Sequence, residues 1–304
     1  MNLRFVEAFY WVASLKSISR AAEKLFLTQS AMSSRIATLE EELGVLLLDR
    51  SDKQFKLTGA GTRFLVHATK LLEMQRDIKA EIGSGVDVAV SMRIGAIESV
   101  LHSWLIPWLE QLRAEQPQLE LDLTVETTPV LTEQVQRGAL DLAFAVLPTS
   151  AIGVRTFALP PMEMAFVGHP GLHHKTKYAL AELAEMEVLT FQKGSHPNVT
   201  LLDLFRKHHL QPKKVHAISS ISAMVQLVQG SFGVALLPRA AVARLTGFYS
   251  LKLLECDVRV QPLPLHVSYR TDPTSNTIET VVKSAVAFVE ATENAPKKSI
   301  KGKP

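Results

Sequence analysis

The stretch Ser19–Arg50, SRAAEKLFLTQSAMSSRIATLEEELGVLLLDR, holds two short helical patterns with a tight break between them. Ser19 is placed to cap the first helix and Thr28 the second, because a side-chain oxygen there accepts an unpaired N–H of the first turn. Ala21, Ala22 and Leu25 share one face of the first helix; Met32, Ile36 and Leu39 share one face of the second, and Leu27 fills the turn. The two alanines lack bulk, so the helices can cross closely. The outer face of the second helix carries Gln29, Ser30, Ser33, Ser34 and Arg35: short hydrogen-bonding groups, one guanidinium and no acid. Gln and Arg suit paired donors and acceptors on base edges in the DNA major groove, and Ser suits bases or phosphates. A helix-turn-helix reads DNA in this way. A helical hairpin with a polar outer face has the same spacing, so pattern alone leaves both readings open.

The flanking residues extend the motif. Upstream, Phe5, Ala8, Phe9, Val12 and Ala13 follow the i, i+3, i+4, i+7, i+8 rule and predict a helix packed behind the other two. Downstream, Leu47 to Leu57 reads as an extended pair turning at Asp52-Lys53, a wing beside the second helix. Arg50 and Lys53 there reach phosphates or the minor groove, or else are solvated hairpin charges. A long helix is expected from Thr58 to about Ile82. Its seam of Phe64, Ala68, Leu71, Gln75, Ile78 and Ile82 alternates spacings of four and three, a heptad-like stripe suited to a partner helix. The implied partner is the same helix of a second subunit, with Gln75 fixing the register. Two recognition helices would then match two DNA half-sites. Gly83-Ser84-Gly85 breaks the helix as a hinge or linker.

With these residues in view, the run resembles the N-terminal winged helix-turn-helix of LysR-type transcriptional regulators. The matching positions are Ser19, Ala21-Ala22, Leu25, Gln29, Ser33, Ile36, Leu39-Glu40, Leu43-Gly44, Leu47, Arg50, Leu57-Thr58 and Ala60-Gly61. Leu48, Thr28 and Gly59 depart from the usual Phe, Ser and Pro, and none of the three removes a DNA-facing group. The resemblance implies a DNA-contacting set of Ser19, Thr28, Gln29, Ser30, Ser33, Ser34 and Arg35, joined by Arg50 and Lys53 from the wing.

From Val88 the pattern changes to alternating strands and helices. Strands are expected at Val90 to Ala96, Leu119 to Val125, Asp141 to Val146, Phe166-Val167, Val188 to Phe191, Val215 to Ile218, Val234 to Leu237 and Leu265 to Tyr269. Helices are expected at Val100 to Glu115, Val130 to Gly138, Leu201 to His208, Ala223 to Gly230 and Thr277 to Ala291. The rhythm predicts α/β units with largely parallel sheets. The family resemblance continues here through Ile94-Gly95, Pro107, Pro117, Gly138, Leu140-Asp141, Gly230, Gly233 and Leu237-Pro238. It implies an effector-binding domain of two subdomains resembling periplasmic binding proteins. The expected division is residues 1–58 for the winged helix-turn-helix, 59–87 for the linker helix and hinge, and 88–295 for the effector domain. Within the last, subdomain I takes about 88–162 and 265–295, and subdomain II about 163–264. A basic tail follows at 296–304, expected to be disordered.

Ligands of open α/β units sit beyond the carboxyl ends of strands, near helix N-termini. That places Ser99, Thr127, Thr128 and Phe144 on one side of a cleft and Phe191, Gln192, Ser195 and Phe232 on the other. Hydroxyls and helix N–H groups favour a carboxylate or another anion, and the phenylalanines suit an apolar or aromatic body. Each Phe is equally at home in an ordinary core, and Ser99 in a simple helix cap. In the family, Ser99 and Thr128 match positions that touch effector.

Composition sets outer bounds. The chain has 304 residues, 47% hydrophobic, with a formal net charge of only +3. The last twelve residues hold four lysines against Glu293, which accounts for that excess. Net charge therefore does not announce nucleic acid; the helix motif does. The single cysteine, Cys256, cannot form an intramolecular disulfide and reads as a buried, inert thiol. No apolar run of 18 residues predicts a membrane span. Glu7 interrupts the apolar N-terminal stretch, which reads as a folded helix and not as a signal peptide, so a cytoplasmic protein is expected. His169, His173 and His174 read as a polar loop and not as a metal site.

No nucleophile elbow, phosphate loop or HExxH occurs, so an enzyme is not expected. A solute-binding protein or enzyme of the same architecture is the rival, and neither explains residues 19–50. The reading is a DNA-binding transcriptional regulator, homodimeric and tetrameric, on an interrupted palindromic site. No cofactor is expected beyond a small-molecule effector, a carboxylate or an aromatic acid; RNA polymerase is a further candidate partner. By the resemblance, effector binding shifts closure of the two subdomains and so the angle between DNA-binding dimers.

Overall fold

The computed structural model of the protein describes residues 1–49, 55–82 and 90–294. The head begins with α1 (Leu3–Leu15), α2 (Ile18–Lys24) and α3 (Gln29–Leu43), followed by β1 (Leu48–Asp49) and β2 (Lys56–Leu57), which pair antiparallel, and by the 24-residue α4 (Gly59–Ile82). Ser17, not Ser19, caps α2: its hydroxyl accepts from the Arg20 N–H at 3.3 Å, and Ser19 lies within the first turn. Thr28 caps α3, accepting from Ala31 N–H at 3.2 Å. Glu40 pins the chain after α3, because its Oε1 accepts from the Leu47 and Leu48 N–H groups at 2.8 and 3.0 Å.

Every residue of α1 from Ala8 to Leu15 is buried. A helix buried all round lies between two bodies. One is the rest of the head: Phe9 meets Phe64 of α4 edge-to-face at 5.3 Å. The other is the first sheet of the remaining chain.

That chain runs β3 (Val90–Ala96), α5 (Glu98–Val100), a π-helical turn (Leu101–Leu105), α6 (Ile106–Glu115), β4 (Leu119–Val125), α7 (Thr128–Arg137), β5 (Leu142–Ala145) and β6 (Val154–Met162). It continues through β7 (Met164–Gly168), β8 (Lys177–Tyr178), α8 (Leu180–Ala184), β9 (Glu187–Thr190), α9 (His196–Lys207), β10 (Lys214–Ala217), α10 (Ile221–Gln229), β11 (Val234–Pro238), α11 (Arg239–Leu245) and β12 (Lys252–Cys256). It ends with β13 (Leu263–Arg270) and α12 (Thr277–Asn294). Among the described residues from Val90 onward two sheets form, ordered β4-β3-β5-β13-β6 and β10-β9-β11-β7-β12-β8. They are mixed and not largely parallel: β3 is parallel to β4 and β5, but β13 runs antiparallel to β5 and β6, and β7 antiparallel to β11 and β12. The expected single helix from Val100 to Glu115 is interrupted by the π turn, where the chain packs against α11 of the second sheet's layer. Cys256 is only half-buried.

The joint between α1 and the first sheet is polar at its centre. Arg270, at the end of β13, is 2% exposed. Its guanidinium donates to Ser14 Oγ at 2.6 Å, Ser14 O at 3.3 Å, Val135 O at 3.2 Å and Gln136 O at 2.5 Å. Burial lowers its pKa to about 10, which leaves it charged at neutral pH. Tyr10 OH donates to Thr271 O at 2.9 Å. Gly153 (φ 70°) sits against the Ser14 side chain, where a Cβ would overlap it. Lys24 stands 3.8 Å from Asp141, which Arg93 also holds at 2.8 Å. Burial opposes ionisation of Asp141, but the Arg93 bonds and the Lys24 charge prevail and hold its carboxyl below the ordinary range.

Candidate functional site

The first candidate surface is the outer face of α3. Met32, Ile36 and Leu39 are buried against the head's core, which turns Gln29, Ser30, Ser33 and Ser34 outward, all exposed, with Arg35 half-buried beside them. Thr28 is exposed at the cap, and its Oγ1 lies 3.0 Å from Ser30 Oγ. Ser19 is half-buried on α2. Arg50 and Lys53 lie outside the described residues. The structure adds Phe26, 96% exposed in the turn between α2 and α3 with φ 54°. A bulky residue in the left-handed region is strained, and sequence pattern gives no sign of it beyond an aromatic in a turn.

The α4 seam is partly corrected. Ala68 is 0% exposed within its own chain, and Phe64 packs on Phe9. Both belong to the face that α1 covers, together with Leu72; Ala68 is closed off from a partner helix, while Phe64 keeps a half-exposed ring. Leu71 and Gln75 are half-buried, and Met74, Ile78 and Ile82 stand exposed, Ile82 at 81%. These last residues form an apolar stripe that nothing among the described residues covers.

The second candidate lies between the sheets. The parallel strands β3, β4 and β5 end at Ala96, Val125 and Ala145; β9, β10 and β11 end at Thr190, Ala217 and Pro238. These two sets of carboxyl ends face each other, because Glu98 of α5 bonds the start of α10. Its Oε2 accepts from Ile221 N–H at 2.9 Å and its Oε1 from Ser220 Oγ at 3.2 Å. Ser99 is buried beside it, with its carbonyl accepting from Ser103 Oγ at 2.7 Å. Thr127 precedes α7 and is exposed; Thr128 Oγ1 accepts from Val146 N–H at 3.3 Å. Across the gap lie Phe191, 9% exposed, and exposed Gln192. Thr190 Oγ1 and Ser195 Oγ are buried with no hydrogen-bond partner. Such groups are rare in folded proteins and call for a reason.

Two expected cleft residues are elsewhere. Phe144 is 0% exposed and sits edge-to-face between Trp104 and Trp108, at 5.0 and 5.7 Å. It is core, because β5 is covered on both faces. Phe232 precedes β11 and rests on His216 at 5.0 Å, beside Glu187 at the start of β9. That is the amino end of the sheet, opposite Phe191. Sequence reasoning also missed Glu98, Ser220 and Thr190; an acid directly after a strand, preceding Ser99, was the available signal. Cavities of about 230 and 420 Å³ lie at the joint of α1, α4 and the first sheet, the larger lined by Arg4, Glu7, Gln75, Arg76, Lys79 and Thr274. Among the described residues no group of three or more His, Cys, Asp or Glu is placed to hold a metal, and no helix is long and apolar enough to cross a membrane.

Comparison with known proteins bears on both surfaces. Residues 3–62 match the family described as bacterial regulatory helix-turn-helix protein, lysR family, and residues 88–288 match the LysR substrate binding domain. The chain is 32% identical over 244 residues to a probable hydrogen peroxide-inducible genes activator of Mycobacterium avium, covering 78% of each chain. It is 29% identical over 244 residues to the HTH-type transcriptional regulator BenM of Acinetobacter baylyi, covering 78% of this chain and 80% of that protein. The crystal structure of full-length BenM superposes with a TM-score of 0.56 at 25% identity, over 98% of this chain and 99% of that one.

Proposed function

Because the chain belongs to the LysR family, DNA-binding transcriptional regulators with an effector-binding domain, we propose that α3 reads DNA through Gln29, Ser30, Ser33, Ser34 and Arg35. The observation that carries this is the split of α3 into a buried apolar face and an exposed side whose N-terminal half, Gln29 to Arg35, holds hydrogen-bonding side chains without an acid. Thr28 and Ser19 contact phosphate at the helix ends, and Arg50 and Lys53 do so from the wing. The head takes residues 1–58, the linker 59–87, and the effector domain 88–295, with a basic tail after it.

The target is an interrupted palindrome. Two heads are held apart by pairing of the α4 stripe Leu71, Met74, Ile78 and Ile82 with its copy, and two dimers make a tetramer. A small-molecule effector sits between the carboxyl ends of the two sheets, at Ser99, Thr127 and Thr128 on one side and Phe191 and Gln192 on the other. The unpaired hydroxyls of Thr190 and Ser195 support that placement. Binding there shifts subdomain closure and, through the joint at Arg270, the setting of the heads. The protein acts in the cytoplasm, in reach of RNA polymerase.

The test is a gel shift on the DNA upstream of the protein's own gene against random DNA, at several salt concentrations. A shift that favours the upstream fragment by at least about 10³-fold is expected of a specific regulator. Equal affinity for both fragments at every salt concentration refutes sequence-specific binding.

A further inference from the structure

The N-terminus of α10 is a natural seat for an anion, since its first N–H groups have no partner within the helix. In this protein the seat is taken. Glu98, from the other subdomain, brings a carboxylate to Ile221 N–H at 2.9 Å and to Ser220 Oγ at 3.2 Å. His102, one turn on from Glu98, stands 3.5 Å from the same Oε1. Ser220 Oγ also accepts from Ala223 N–H at 3.3 Å, so its hydroxyl proton is directed to Glu98. The carboxylate therefore uses the donors that a bound carboxylate would use, and it is tethered to the opposite wall of the cleft.

We propose that Glu98 is a built-in anion that fills this seat, clasps the two subdomains together and sets the ligand specificity of the cleft. The proposal rests on the reading of the cleft as the effector site. A free carboxylate entering at α10 must evict Glu98 or lie beside its negative charge. The tethered group wins, because it loses little freedom on docking and acts at high effective concentration. An effector that reaches this end of the cleft presents a hydrogen-bond donor or a positive charge to Glu98. Its acidic group, where it has one, goes to the other side, at the start of α9 with Thr190 and Ser195. The expectation of a carboxylate at any helix end loses the one at α10.

Chemical rescue tests this on the full-length protein. Glu98→Ala empties the seat without touching Ser220 or Ile221. The variant should melt a few degrees below the parent. Sodium formate at about 50 mM should restore much of that loss by occupying the vacated seat, while sodium chloride at equal ionic strength should not. The parent should be indifferent to formate. Glu98→Ser repeats the measurement with a smaller disturbance at the strand end, and Glu98→Gln keeps the seat filled and should not respond. Formate raising the parent as much as Glu98→Ala and Glu98→Ser, or raising neither variant, overturns the proposal. The gel shift of the parent is a separate readout: DNA binding with no formate rescue sinks the clasp and leaves the regulator reading intact, and rescue without DNA binding does the reverse.

Discussion

Replacing Arg270 by Met removes the charge from the joint and leaves a side chain of similar length. Three carbonyls then lose a donor: Val135 O, Gln136 O and Ser14 O, with the Ser14 hydroxyl as a fourth group. Val135 O still accepts from Gly138 N–H at 3.1 Å, so its loss is partial. A buried acceptor left unsatisfied costs about 1–3 kcal/mol, so with Ser14 O and Gln136 O both orphaned the expected destabilisation for Arg270→Met is about 2–6 kcal/mol. Ser14→Ala is milder. It removes the 2.6 Å contact but keeps the carbonyl, and a hydrogen bond to a charged group is worth about 1.5–3 kcal/mol. In the Arg270→Met background the Ser14 hydroxyl has no guanidinium to meet, so adding Ser14→Ala should cost little more. The double-mutant cycle, read by calorimetric melting, should show a coupling of at least about 1 kcal/mol. Hydrogen exchange of the α1 amides should rise in Arg270→Met. Costs that add to within about 0.5 kcal/mol would show that the head does not sit on this sheet in solution, and the joint would have to be abandoned.

Three further outcomes are expected. Gln29→Ala should weaken specific DNA binding by about 1–3 kcal/mol and leave random DNA unchanged in a salt-matched gel shift; equal losses on both would remove it as a base reader. Ile78→Glu should lower the mass seen in sedimentation, because it places facing acids in the apolar stripe, whereas Ala68→Glu should unfold the head instead, since Ala68 is closed in by α1; unchanged mass for Ile78→Glu would show that the stripe is not a subunit contact. Asp141 titrates below its ordinary value, so the unfolded chain takes up its proton first as pH falls. Its stabilisation is complete above the unfolded value of about 3.9 and drains away as pH drops through the folded value. The melting gap between the parent and Asp141→Asn should therefore be constant above about pH 5 and narrow below about pH 4; a gap that holds unchanged to pH 3 contradicts the ion pairs drawn here.

Local patterns were legible where one element decides its own geometry. The Thr28 cap and the Met32, Ile36 and Leu39 face defined α3 without help from the rest of the chain. The errors arise where two elements compete for one face. Phe64 and Ala68 fit a heptad, but spacing cannot say whether a partner subunit or α1 fills the groove beside them. Phe144 and Phe232 each lie beside a strand, as a cleft residue does, yet burial under two tryptophans and the direction of α10 depend on tertiary packing. β6 was missed because Pro160 and Pro161 argue against a strand. It is the edge strand of its sheet, and prolines are tolerated there because no neighbour needs their N–H groups. The joint was unreadable for a related reason: Arg270 and Ser14 are 256 residues apart, and neither stands in a motif.

The wedging of α1 also bears on how the protein comes apart. A helix buried between two bodies ties the head to the first sheet, and the two sheets already share one continuous hydrophobic core, so head and sheets should lose structure as one cooperative unit. Dividing the chain between Ile82 and Val90 would not yield two sound fragments. The N-terminal piece would bare Tyr10, Ser14 and Leu15 to water, an apolar surface prone to self-association. The C-terminal piece would keep a guanidinium at the end of β13 that has lost its serine. Isolated heads that prove insoluble, beside soluble full-length protein, are the practical mark of a domain that carries part of its neighbour's interior.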